Sequence, residues 1–89
     1  MNARKILQLA GIKYEFYLIK DFTEIHEDFY TVTLEFSLKD FFTFHWLEGL
    51  NVNALEYHFD KIVIRGYVEK KDVRLFVNSI NEGYLITLI

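Results

Sequence analysis

Glu56, His58 and Asp60 stand two apart as E-x-H-x-D within LEYHFD, and ligands on alternate residues of a strand can share a divalent cation. No second histidine lies nearby. The same polar residues alternate with Leu55, Tyr57 and Phe59, the pattern of a half-buried strand, so the set reads as a solvated strand face. His26, amid Glu24, Glu27 and Asp28, has the neighbours of a metal ligand or a pH-sensitive pair but reads as an exposed loop histidine. His45, beside Trp46 in an aromatic run, reads as a core-edge residue donating one hydrogen bond. Nucleophilic catalysis has little material. Cysteine is absent, and the two serines, Ser37 and Ser79, lie outside any GxSxG elbow. Four dispersed glycines make no phosphate loop. The expectation is a non-enzymatic chain without catalytic residues, metal or cofactor.

Macromolecular binding has a better basis. Residues 15–60 hold ten acids (Glu15, Asp21, Glu24, Glu27, Asp28, Glu35, Asp40, Glu48, Glu56, Asp60) against Lys20 and Lys39, while both flanks are basic. The net charge of −3 is therefore a near-cancellation. A field of this kind steers a partner of opposite charge without identifying it. The simplest explanation is that the acids occupy solvated faces and loops. The functional explanation is an acidic surface for a protein partner, for which Glu24, Glu27, Asp28 and Glu35 are candidates, with Tyr14, Tyr17 and Trp46 as aromatic contacts. A sharper version is a nucleic-acid mimic that blocks a basic, nucleic-acid-handling protein. Same-face residues on a strand repeat every ~6.6 Å, close to the phosphate spacing of an extended nucleic-acid strand. A third reading is direct nucleic-acid binding through Lys70, Lys71 and Arg74 on the outer face of the last helix. It is opposed by a sequence pI near 5.5 and by the absence of an RNP1-type motif.

The elements that would position these residues follow from periodicity. Ala3, Ile6, Leu7 and Ala10 mark one face of a helix over residues 3–10, with Asn2 as N-cap, Gly11 as C′ residue and Arg4, Lys5 and Gln8 on the wet side. KYEFYLIKDF is a strand apolar on both sides, and DFTEIHED reads as an acidic connection. FYTVTLEF alternates cleanly, with Tyr30, Val32, Leu34 and Phe36 facing one way. The stretch over 38–48 admits a helix from a Ser37 cap, but its aromatic alternation favours a strand. EGLNVN reads as a turn. LEYHF and IVIRGYV are strands whose apolar phase slips at Asp60-Lys61, implying a tight turn or bulge, and Gly66 implies a second bulge or a close backbone approach. Val73, Phe76, Val77 and Ile80 define the last helix, with Glu69 and Asp72 in its first turn and Gly83 ending it. YLITLI, apolar on both sides, reads as a closing strand.

The predicted order is α-β-β-β-β-β-α-β, one α+β domain over 1–89: an antiparallel meander of five to six strands with two short helices on one face. Two helices leave the other sheet face bare, so aromatics such as Tyr14, Tyr17, Phe41, Trp46 and Tyr67 should form an exposed patch. With 52% hydrophobic residues and 18% aromatics, the chain excludes disorder. MNARKILQLAG is a poor signal peptide, since Gln8 interrupts the apolar run, and no run approaches the ~20 residues of a membrane span. The reading is a cytoplasmic interaction protein that binds a protein partner or itself as a homodimer, through the sheet face or a strand edge.

Overall fold

The structure, a computed structural model, describes residues 3–13, 18–38 and 47–88, with side chains as far as Gly83. Its elements are helix α1 (Arg4–Leu9), strands β1 (Ile19–His26), β2 (Phe29–Ser37), β3 (Leu50–His58) and β4 (Lys61–Glu69), a 3-10 turn at Lys70–Asp72, and helix α2 (Val73–Leu88). The four strands form one antiparallel sheet in the order β1-β2-β4-β3. The α+β class holds, with two helices and an antiparallel sheet among the described residues.

The predicted meander is corrected. β2 and β3 are not neighbours, because β4 lies between them, and the sheet is two hairpins joined through their second strands. Four strands are seen among the described residues. The strand read over 38–48 falls mostly on residues 39–46, and the Tyr14–Tyr17 part of the first strand on residues 14–17, both outside the described residues.

One face of the sheet carries both helices. Tyr30, Val32, Leu34 and Phe36 of β2 are buried there with Phe22 of β1 and Ile62, Ile64 and Val68 of β4. Leu7 of α1 and Val73, Phe76, Val77 and Ile80 of α2 close the same core, the helical faces that periodicity marked. Phe22 stacks on Tyr30 with ring centroids 4.8 Å apart and lies 6.4 Å from Phe76, so three elements meet around one ring.

Helix α1 ends as its glycine predicts. Gly11 has φ 88°, its N–H donates to the Gln8 carbonyl, and the Ile12 N–H donates to the Leu7 carbonyl, which together make a Schellman motif. Its N-cap is Ala3 and not Asn2. Ala3 has no capping side chain, and its N–H donates instead to the Phe22 carbonyl of β1 at 2.8 Å.

At the C-terminus YLITLI is not a strand over residues 84–88, because α2 continues through Gly83 to Leu88. A six-residue apolar run fits a buried helix as well as a buried strand, and Gly83, without a positive φ, is an internal helical residue and not a C′ stop. Two buried polar residues on α2 hold loops against it. Asn81 accepts from the Lys13 N–H at 2.9 Å and donates to the Gly11 carbonyl at 3.1 Å, and Ser79 Oγ accepts from the Glu48 N–H at 3.0 Å.

The acidic connection read over 21–28 is also corrected, since β1 runs to His26 and only Glu27 and Asp28 form the turn. Register irregularities at Ile19/Asp21 and Glu24/His26 break the alternation that would have revealed the strand. EGLNVN is split likewise. Glu48 and Gly49 turn, and Leu50 already starts β3.

Candidate functional site

The face of the sheet opposite α1 and α2, the open face, is largely polar, although its Val63 is buried. From β1 to β3 it carries Asp21 and Thr23, then Phe29, Thr31, Thr33 and Glu35, then Lys61, Val63, Arg65, Tyr67 and Glu69, then Glu56 and His58. Near the β1–β2 turn His26 stacks on Phe29 at 4.9 Å, and Phe29 leans on Tyr67 at 5.3 Å. The structure thus places Tyr67 of the expected aromatic patch on this face. Tyr14, Tyr17, Phe41 and Trp46 lie outside the described residues.

The candidate acids are dispersed. Glu27 and Asp28 sit together at the exposed β1–β2 turn, Glu24 pairs in register with Tyr30 and so faces the helical side, and Glu35 lies on the open face toward the far end of β2. The charge segregation of the sequence is offset in part by pairing. Glu24 bonds Lys70, Glu35 bonds Lys61 at 3.0 Å, Glu56 bonds Arg65 at 3.2 Å, and Glu69 lies 3.5 Å from Lys71. In three of these pairs an acid from the middle segment meets a base from the C-terminal one. For Glu35 and Glu56 antiparallel register causes this, since β4 is basic on its open side and lies between the acidic positions of β2 and β3, while Glu24 on β1 meets Lys70 of the 3-10 turn.

The basic trio is brought together but not isolated. Lys70, Lys71 and Arg74 rim a shallow groove of ≈ 320 Å³ floored by Ile6, Leu9 and Val73. Lys70 and Lys71 also border a depression of ≈ 520 Å³ shared with Glu27, Asp28 and Glu69. Lys70 lies 5.5 Å above the Tyr30 ring, and its N–H donates to the Asp28 carbonyl. In the E-x-H-x-D set, Glu56 binds His58 Nε2 at 3.0 Å as well as Arg65, while Asp60 lies in the β3–β4 turn. Among the described residues no three such side chains converge as a metal site. Nor is any helix among them long and apolar enough to cross a membrane.

These pairs set a pH response. The hydrogen bond from Lys61 holds the Glu35 carboxyl below its ordinary value, and those from His58 and then Arg65 do the same for Glu56. Glu24 holds the Lys70 ammonium above its ordinary value, chiefly by hydrogen bonding. A depressed carboxyl contributes stability that is complete above the unfolded value near 4.5 and is lost as pH falls through the folded value. Thermal melts should therefore show a fall in Tm below about pH 4.5, less steep in the Glu35→Gln/Glu56→Gln protein. An identical acid slope in that variant would assign the fall to other groups.

The strongest surface signal was not among the sequence candidates. Among the described residues β3 is an edge strand, and its helix-side residues extend beyond α1 and α2: Val52 is 55% exposed, Leu55 40% and Tyr57 70%. Phe59, in the turn that follows, is fully exposed. In the adjacent strand β4, Ile62, Ile64 and Val68 on the same face are buried. The sequence contained the signal as LEYHF, but alternation alone does not distinguish a strand under a helix from one beyond it.

The two edges of the sheet differ. On β1, α1 is anchored to the strand, with the Ala3 N–H on the Phe22 carbonyl and Arg4 on the Lys20 carbonyl at 2.7 Å. On β3 the described residues supply one bulge, at Asn53, where the register shifts opposite Gly66 and Arg65, and neither lysine nor proline. No family model matches the chain, and comparison with curated proteins and with solved structures gives no match.

Proposed function

We propose that this chain is a small non-enzymatic interaction protein that binds a protein partner through the uncovered surface at β3. The observation that carries the reading is the row of Val52, Leu55, Tyr57 and Phe59 on an edge strand. Aromatic and aliphatic side chains on a pleated edge give a partner both apolar contact and unpaired backbone groups, and patches of this kind mark partner surfaces. The acidic residue beside this row is Glu56 on the open face, whereas Glu27 and Asp28 lie at the β1–β2 turn on the other side of the sheet.

The ion pairing of Glu24, Glu35 and Glu56 favours this reading over the nucleic-acid mimic, because a mimic presents uncompensated carboxylates to its target. It also weakens direct nucleic-acid binding, since Lys70 and Lys71 each have a carboxylate partner.

Affinity capture from the native host tests the proposal. The wild-type chain should retain a protein that the Tyr57→Lys/Phe59→Ser variant loses, while Lys70→Gln/Arg74→Gln retains it. The same proteins captured by both the wild type and the β3 variant would remove β3 from the function.

A further inference from the structure

We infer that the partner β3 is built for is a second copy of this chain, joined antiparallel, β3 to β3, about a two-fold axis at Tyr57. The inference rests on the reading of β3 as a protein-binding edge and adds the identity and register of the occupant.

The backbone sets the first condition. β3 and β4 are closed by a two-residue turn, Phe59-Asp60, on the His58–Lys61 pair. In an antiparallel ladder alternate residues exchange both hydrogen bonds with one neighbour. Counting back from the closing pair, His58 and Glu56 address β4, and Tyr57 and Leu55 direct their N–H and C=O groups away from the sheet. The segment from Ala54 to His58, beyond the Asn53 bulge, is a regular run with an open edge.

Side chains then select among the symmetric registers. If the axis passed through Glu56, two like carboxylates would face each other, which is destabilising. An axis through Leu55 sets Glu56 against Ala54 of the second copy and carries the pairing into the bulge. With the axis at Tyr57, the Glu56–His58 pair of each chain lies against the same pair of the other, with Glu56 opposite His58 twice by symmetry, and Leu55 lies beside the turn that carries Phe59. Tyr57 meets Tyr57 across the axis. Charge, apolar contact and outward backbone groups agree only in this last register, and an isologous contact repeats each of them. The product is a continuous eight-stranded sheet with β1 at both ends, the edge to which α1 is anchored.

The absence of cysteine makes the test direct. A Tyr57→Cys variant places two thiols on residues whose Cα atoms are about 5.5 Å apart, within disulfide range. Val52→Cys, also at an exposed position, places them ten residues apart along the paired strands, about 33 Å. Oxidation should link Tyr57→Cys into a covalent dimer and leave Val52→Cys monomeric on a denaturing gel. Sedimentation from micromolar to submillimolar concentration should show a wild-type dimer and a Tyr57→Lys monomer of unchanged circular dichroism.

A monomeric wild type whose Tyr57→Cys form fails to cross-link overturns the inference. So does a dimer that Tyr57→Lys leaves intact. If that monomer still captures a host protein through β3, the occupant is wrong and the binding edge stands. If Tyr57→Lys changes neither association nor capture, both fall.

Discussion

Phe22→Ala should lower stability by about 3–5 kcal/mol, read as a shift of the urea midpoint at constant m-value. Phe22 is completely buried, stacks on Tyr30 and faces Phe76, so its removal opens a void where β1, β2 and α2 meet. A domain of 89 residues has a total stability of about 5–13 kcal/mol at the usual per-residue figure, so the loss is a large share of the whole. Ile25→Ala is the control. It truncates a large apolar side chain that is 66% exposed on β1, away from the β3 edge, and should stay within about 0.5 kcal/mol of wild type. Equal effects at the two positions would mean that the core is not centred on Phe22.

Gly66→Ala is the second large effect, and it arises from backbone. A Cβ at Gly66 would lie 2.2 Å from the Asn51 carbonyl oxygen and 3.2 Å from the Val52 Cα, so β3 must move away from β4 to admit a single methyl group. Overpacking in a well-filled site costs about 1–3 kcal/mol, and a rigid backbone obstacle puts this case at the upper end. The damage should be local. Amide exchange would show β3 losing protection while the β1–β2 hairpin keeps most of its own. A Tm within a degree or two of wild type, with β3 still protected, would show that the two strands have room to spare.

Gly66 also illustrates what the sequence made legible. A lone glycine in an apolar strand pattern signals a bulge or a close approach, and the structure has both, with the bulge on the partner strand at Asn53. β2 was legible because it sits mid-sheet under helices, and Val73, Phe76, Val77 and Ile80 were legible because α2 has one wet and one dry face. The phase slip marked a turn or bulge at Asp60-Lys61, and the turn lies one residue earlier, at Phe59-Asp60, with Lys61 already in β4. β1 was displaced because its two register irregularities erase the period of two. YLITLI misled because an apolar run without polar punctuation has no period to read. The β1-β2-β4-β3 order was invisible, since hydrophobic pattern says which face a residue takes and nothing about which strand lies beside it.

The candidate surface divides in the same way. Sequence counting gave the acids but not their partners, and Glu35 with Lys61 or Glu24 with Lys70 becomes neutralised only once strands from distant segments lie together. The exposed row on β3 depends on where the helical layer stops, which no local rule encodes.

The joining of two hairpins through β2 and β4 bears on the order of assembly. Each hairpin closes over a two-residue turn, so β1–β2 and β3–β4 are contacts a chain finds within microseconds. The β2–β4 ladder pairs Ser37 with Lys61 and Phe29 with Glu69, partners 24 and 40 positions apart, and carries the loop-closure entropy of the whole sheet. That central ladder is therefore the slow step, and the two hairpins, each presenting half a core to water until they dock, are the units between which a folding barrier lies.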